Sequence, residues 1–314
     1  MSSEFECKVC GNNSRNQSFI ATERLLGIRD EFVYFECSVC GCVQIQEVPE
    51  NIAKYYPNAY YSYQEPSFAN KLNPVLYFLK KSLAKYYIGR FNLTGWILSF
   101  FLEHPFPWLK SNLVNFDSKI LDVGCGSGRK LLSMQRSGFR NLIGIDPFNS
   151  ADIFYYNGLK VLKKDVFEMN EQYDFIMLHH SFEHLDSPLK VLIKLKELLK
   201  PNGRLLIRIP VANSYAWRKY KAFWYALDAP RHLFLHTTQS MQLLAERSGL
   251  KIDDIEYDSP TAQLIYSEKY LRNMLSSEGN DLFSKKEINH FRKEVERLNR
   301  INDGDCACFF LTNI

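Results

Sequence analysis

Four of the eight cysteines stand in two pairs, Cys7-x-x-Cys10 and Cys37-x-x-Cys40, each followed by a glycine, Gly11 and Gly41. A C-x-x-C turn brings two thiolates to one ion, and a glycine beside the sulfurs avoids a Cβ clash. Two such turns make a closed four-thiolate site that suits structural Zn2+, with no coordination position left open for catalysis. Cys42 reads as a bystander. Cys306 and Cys308 read as alternate residues on one buried strand face.

A second group could hold a cofactor. Ile120-Leu121-Asp122-Val123 reads as a short buried strand, and Gly124-Cys125-Gly126-Ser127-Gly128 leads from it into a helix over Arg129–Arg136. Such a loop presents backbone N–H groups to a polar ligand at a helix start. The dinucleotide pattern G-x-G-x-x-G is not met, because Arg129 stands where its last glycine would be. Asp122 would repel a pyrophosphate and attract an ammonium. The cofactor expected is therefore one with a cationic amino-acid tail and no phosphate. Asp146 ends the next strand, 24 residues after Asp122, where a carboxylate accepts from both ribose hydroxyls. Asp165 suits an adenine amino group, with the backbone of Val166 reading the ring.

A third group could move protons. His180, Glu183 and His184 follow the strand Tyr173–Leu178, and His232 lies in Ala226-Leu227-Asp228-Ala229-Pro230-Arg231-His232-Leu233. A hydroxyl acceptor needs a base near its attack path, and histidine suits that at neutral pH. Glu183 would orient an imidazole, though His184 also fits a role in packing its loop. Arg231 suits a two-pronged grip on a substrate phosphate or carboxylate, or a salt bridge to Asp228.

These groups need a scaffold. The chain has 314 residues, 46% hydrophobic and 24% charged, with a formal net charge of +4. That composition is globular, and the charge is too small to argue nucleic-acid binding. Three regions are expected: a zinc ribbon over 1–50, a tyrosine-rich linker and helical cap over 51–114, and a core over 115–314 with an insert at 260–303. The linker carries Tyr55, Tyr56, Tyr60, Tyr61 and Tyr63. It reads as packing, or as a cleft wall in which Tyr60, Tyr61 and Tyr63 meet substrate. Residues 71–113 predict two helices, broken near Asn92–Gly95 and ended by Pro105 and Pro107. These helices cap the core or form a basic face for anionic lipid or a lipid-linked substrate. Further strands are expected at 141–145, 159–163, 204–209, 251–257 and 305–312. Pro201-Asn202-Gly203 is expected to turn the chain into the strand at 204. The insert carries a capping box, Ser284 with Glu287, and an apolar stripe at Ile288, Phe291, Val295 and Leu298. No apolar run approaches the ~20 residues of a spanning helix, and the N-terminus lacks a signal-peptide pattern. A cytoplasmic protein is expected.

Taken together, LDVGCGSG, GID, KDVF, YDFIMLHHSFEHL and LKPNGRLLIRIP, in this order over about 115–260, resemble class I S-adenosylmethionine-dependent methyltransferases. The resemblance implies an α/β fold with a Rossmann-like seven-stranded sheet. It implies that Gly124, Gly126 and Gly128 shape the loop around the methionine moiety, with Asp122 near the amino group, Asp146 on ribose, and Asp165 and Val166 on adenine. Leu178 and His179 would sit beside the sulfonium. The DAPRHL stretch resembles one in bacterial methyltransferases of surface-glycan pathways. Ribbon, tyrosines and core in this order look like zinc-ribbon methyltransferases of nucleotide-linked deoxysugars, which usually carry a longer C-terminal domain than this chain has. The expected acceptor is thus a sugar hydroxyl or related small metabolite. Alternatives are C-methylation of a nucleotide keto-sugar, RNA or protein methylation, and a non-catalytic docking module. The oligomeric state is left open.

Overall fold

The structure, a computed structural model, describes residues 5–56, 73–279 and 281–314. The tyrosines read as a cleft wall, Tyr60, Tyr61 and Tyr63, lie outside the described residues. Along the chain, β1 (Gln17–Thr22), β2 (Glu31–Glu36) and β3 (Val43–Ile45) come first. Two helices follow, α1 (Pro74–Tyr87) and α2 (Leu93–Leu98). The alternating part runs β4 (Lys119–Val123), α3 (Arg129–Arg136), β5 (Asn141–Ile145), β6 (Ile153–Phe154), β7 (Lys160–Leu162), β8 (Tyr173–His179), α4 (Pro188–Glu197) and β9 (Leu199–Pro210). The remainder is α5 (Tyr215–Tyr220), β10 (Phe234–Leu235), α6 (Thr238–Ser248), β11 (Leu250–Tyr257), α7 (Thr261–Leu271), α8 (Lys285–Arg300) and β12 (Cys306–Asn313).

The larger sheet has the order β11-β12-β9-β8-β4-β5-β7-β6. β4 runs parallel to both β5 and β8, and β5 parallel to β7. Parallel strands buried on both faces read as continuous apolar runs, and Ile120, Leu121 and Phe175–Leu178 are buried accordingly. The seven expected strands are all present, so the α/β fold is as the motifs implied. The eighth, β6, is a two-residue antiparallel partner of β7 too short to leave a periodic signal. Two expectations are corrected. Pro201–Gly203 do not form a turn before β9 but lie within it: the Tyr173 N–H donates to the Leu198 carbonyl at 2.8 Å and brings this stretch beside β8 early. Cys306 and Cys308 do not mark a one-sided strand, because every residue from Cys306 to Leu311 is buried.

The chain divides into two compact units that do not follow boundaries at 50 and 114. The first takes, of the described residues, 5–56, Phe182–Leu192 and Arg208–Phe309. The second takes 73–181, Ile193–Ile207 and Phe310–Ile314. In the first unit the smaller sheet has the order β1-β2-β3-β10, so the cysteine ribbon borrows its fourth strand from far along the chain. The insert helices belong here too. The Ser284 capping box forms as expected, and Val295 and Leu298 of the stripe are buried while Ile288 and Phe291 are half-buried.

Candidate functional site

In the second unit the chain leaves β4 and turns through Gly124, Gly126 and Gly128 with left-handed backbone, φ +73°, +55° and +76°. A Cβ on Gly124 would stand 2.4 Å from Ser181 Cβ, and one on Gly128 2.6 Å from Val161 Cγ2. Only glycine serves at these two points. Asp146, at the tip of β5, secures the loop. One carboxylate oxygen accepts the Gly126 N–H at 2.8 Å and the other the Phe148 N–H at 3.0 Å. Asn149 donates to the Gly126 carbonyl at 2.9 Å and the Tyr155 hydroxyl to the Ser127 carbonyl at 2.5 Å. Asp122 is buried, and burial pushes its carboxyl up to about 7. An acid held near half-charge gains by pairing with an incoming cation.

Elsewhere in this unit, Asp165 caps a short turn over Val166–Glu168 and accepts the Phe167 N–H at 2.9 Å, with Val166 buried. Leu178 is wholly buried in β8. His179 is buried edge-on to Trp108, ring centroids 4.4 Å apart. His180 follows at φ +52°, a left-handed conformation uncommon for a residue with a side chain.

In the first unit Glu183, His184 and His232 come together, with a ligand atom of each within 4.8 Å of the others. The His184 Nδ1–H donates to the Arg231 carbonyl at 2.7 Å, and the Tyr56 hydroxyl lies 3.1 Å from the same nitrogen. That bond leaves the lone pair on Nε2. Burial and the neighbouring His232 hold the His184 imidazole below its ordinary pKa, so the ring is neutral at pH 7. His232 donates its own Nδ1–H to the Ala226 carbonyl at 2.7 Å. Its Nε2 faces Glu183 at 3.8 Å and Asp228 at 3.9 Å. The two imidazoles meet edge-on at 4.7 Å.

Arg231 does not reach for a substrate. Its side chain has no exposed surface. Nε and Nη2 donate to the two Asp228 oxygens at 2.9 and 2.5 Å, Nη2 also lies 3.3 Å from Glu23, and Nη1 donates to the Tyr55 carbonyl at 3.2 Å. The expected anion grip is thus corrected to an internal clamp. The physical reason is Glu23, a buried carboxylate that needs a cation and already takes the Leu26 and Ile28 N–H groups. Sequence reasoning passed over Glu23. It also passed over Tyr34, whose buried hydroxyl donates to the His232 carbonyl at 2.9 Å. No local signal marks either residue, since their partners lie some 200 positions away.

Cys7, Cys10, Cys37 and Cys40 form a second cluster in this unit. Cys7 and Cys40 sulfurs lie 3.6 Å apart, Cys10 and Cys37 sulfurs 3.5 Å, and all four within 4.8 Å. Bonds of about 2.3 Å in a tetrahedral zinc site place sulfurs about 3.8 Å apart, so this donor set fits such an ion. The two turns are alike: Gly11 N–H donates to the Cys7 carbonyl and Gly41 N–H to the Cys37 carbonyl. Gln44 donates to Cys7 Sγ at 2.8 Å. The Cys40 hydrogen bond is the chief cause that pulls the Cys7 thiol below its ordinary range.

A family profile described as a methyltransferase domain matches residues 99–255, half of the chain. A tRNA U34 carboxymethyltransferase of Cellvibrio japonicus is 30% identical over 110 residues, 31% of this chain and 34% of that protein. A ubiquinone biosynthesis O-methyltransferase of Yersinia enterocolitica is 30% identical over 112 residues, 32% of this chain and 46% of that one. The chain therefore spans between a third and a half of the length of these curated relatives. Among solved structures, a SAM-dependent methyltransferase from Archaeoglobus fulgidus aligns at 22% identity and a TM-score of 0.41, covering 62% of this chain and 85% of that one.

Proposed function

The chain belongs to the methyltransferase domain family, and from that premise we propose that it is an S-adenosylmethionine-dependent enzyme methylating a sugar hydroxyl or related small metabolite. When bound, the cofactor supplies an activated methyl group. The protein supplies position and a base. Gly124, Gly126 and Gly128 shape the cofactor loop. Asp122 pairs with the cofactor ammonium, and Asp146, at the tip of β5, takes the ribose hydroxyls. Asp165 and Val166 take the adenine, while Leu178 and His179 border the reactive end.

His184 takes the acceptor proton. The observation that carries this assignment is the Nδ1–H bond to the Arg231 carbonyl, which leaves a neutral imidazole with Nε2 as its acceptor. Glu183 and Asp228 favour the imidazolium that results, while His232 helps to keep the resting ring neutral. Arg231 is a positioning residue. Its guanidinium holds Asp228 and Glu23, and its carbonyl fixes the His184 ring. Zn2+ on the four cysteines is structural: it holds the ribbon that provides Glu23 and Tyr34. A small acceptor is favoured over a nucleic acid because the chain as a whole carries only a small positive excess.

The test is a mass-spectrometric turnover assay with S-adenosylmethionine and a panel of nucleotide sugars, keto-sugars and sugar phosphates. Gain of one methylene on a sugar oxygen supports the reading. Cofactor binding without gain on any sugar removes the sugar acceptor. Absence of cofactor binding removes the enzyme.

A further inference from the structure

The helix α2 is built inside out. Leu93, Trp96 and Ile97 recur at the spacing of one helical face, the pattern that normally packs on a core, and Phe100 follows in the turn beyond the helix. All four are exposed. The opposite side is the one held by the protein. Gly95 is buried, and a Cβ there would stand 2.2 Å from the Ser82 carbonyl and 2.8 Å from Tyr86 Cβ. Asn92 fastens the same contact, donating to the Ser82 carbonyl at 2.9 Å while it caps the Gly95 N–H at 2.7 Å. The apolar face is thus held outward by a tight α1–α2 contact. Phe91 and Phe101 flank it at 71% and 81% exposure, and Val75, Leu76 and Phe78 on the first turns of α1 are exposed as well. Soluble monomers rarely leave so much contiguous apolar surface without a partner.

The charge around this face says what the partner is. Residues 73–113 carry Lys80, Lys81, Lys85, Arg90 and Lys110 against Glu103 alone, which equals the whole formal excess of the chain. Lys80 follows Leu76 by one turn, Arg90 adjoins Phe91, and both cations are exposed. Aromatic and aliphatic side chains interleaved with exposed cations match a bilayer interface, where rings enter the acyl boundary and cations meet anionic headgroups. No helix of the described residues is long and apolar enough to cross a membrane, so the contact is interfacial. We propose that the outward face of α1 and α2 docks the protein on an anionic lipid surface.

The experiment is flotation of the full chain with vesicles of phosphatidylcholine alone and of phosphatidylcholine with phosphatidylglycerol. The expected result is flotation with the anionic vesicles, at least about tenfold weaker on neutral ones and suppressed by high salt. The Phe100→Ser, Phe101→Ser double variant and the Lys80→Glu, Arg90→Glu double variant should each weaken binding by about tenfold or more. An unchanged thermal midpoint and far-UV spectrum in the first variant show that the fold is intact. Trp96 emission should shift to the blue on binding. Absence of flotation with either vesicle overturns the proposal, as does binding that neither double variant weakens. Self-association by light scattering, abolished by the phenylalanine changes with no vesicle binding, overturns it in favour of a second copy of the chain.

Discussion

The glycine loop and the histidine cluster hold reactive groups by opposite means. The loop is a backbone device. Its shape comes from three left-handed glycines, two of them with no room for a Cβ, and from one carboxylate, Asp146, that accepts two backbone N–H groups. The histidine cluster is a side-chain device. Two imidazoles are oriented by the Arg231 and Ala226 carbonyls, and the segment that carries these is held by the Arg231–Asp228 pair, by Glu23 on the Arg231 side chain and by the Tyr34 hydroxyl on the His232 carbonyl. A backbone device tolerates change at its side chains and fails at its glycines. A device of buried charges fails when any one charge loses its partner, because the remaining ion has no water to repay it.

The largest expected effect lies on the cysteine ribbon that supplies Glu23 and Tyr34 to the side-chain device. Structural zinc contributes roughly 10–16 kcal/mol of apparent binding energy in small metal domains, comparable to a whole domain's stability of about 5–15 kcal/mol. Elemental analysis should find one zinc per chain. Chelation, or Cys37→Ser, should lower the thermal midpoint steeply and abolish turnover. A metal-free protein with an unchanged midpoint would break the comparison. Next is Arg231→Met, which leaves the buried Glu23 and the half-buried Asp228 without their cation at a cost of about 3–5 kcal/mol, read by denaturant titration. Unchanged stability with a raised KM for an anionic acceptor would return Arg231 to the substrate.

Smaller effects fall on the loop. Asp146→Ala should weaken cofactor binding by about ten- to a hundredfold, the worth of one or two bonds to a charged group, as measured by calorimetry. Smallest is a pH effect at Asp122. Its carboxyl stands at about 7 in the free protein, and pairing with an ammonium lowers it. Cofactor affinity should therefore climb as pH rises toward 7 and level off above it, with proton release visible as a buffer-dependent binding enthalpy. A flat affinity from pH 6 to 8 would place the ammonium elsewhere.

The same contrast explains what could be read before the structure. The loop, its strand and the helix over Arg129–Arg136 are contiguous, and the acids at 122, 146 and 165 each sit in or just after a strand that its own local pattern marks, so local pattern carries them. The four cysteines announce themselves by spacing. Glu23 and Tyr34 carry no such mark, because burial beside Arg231 and His232 is a property of distant chain segments. Arg231 itself was legible as an ion-pair former, but its partner was not: Asp228 is local and Glu23 is not. Strand β10 went unseen for the same reason, as its two residues pair with β3 across about 190 residues of sequence.

The most direct test of the division of labour is one comparison between the wild type and His184→Gln: turnover on the accepted sugar, measured beside cofactor affinity in the same preparations. The account predicts that affinity is unchanged while kcat falls by about 10²–10⁴-fold. In the wild type, kcat should decline in acid only below the ordinary histidine range, as the direction of the His184 shift requires. Near-normal turnover in His184→Gln would contradict the assignment of the proton to this cluster.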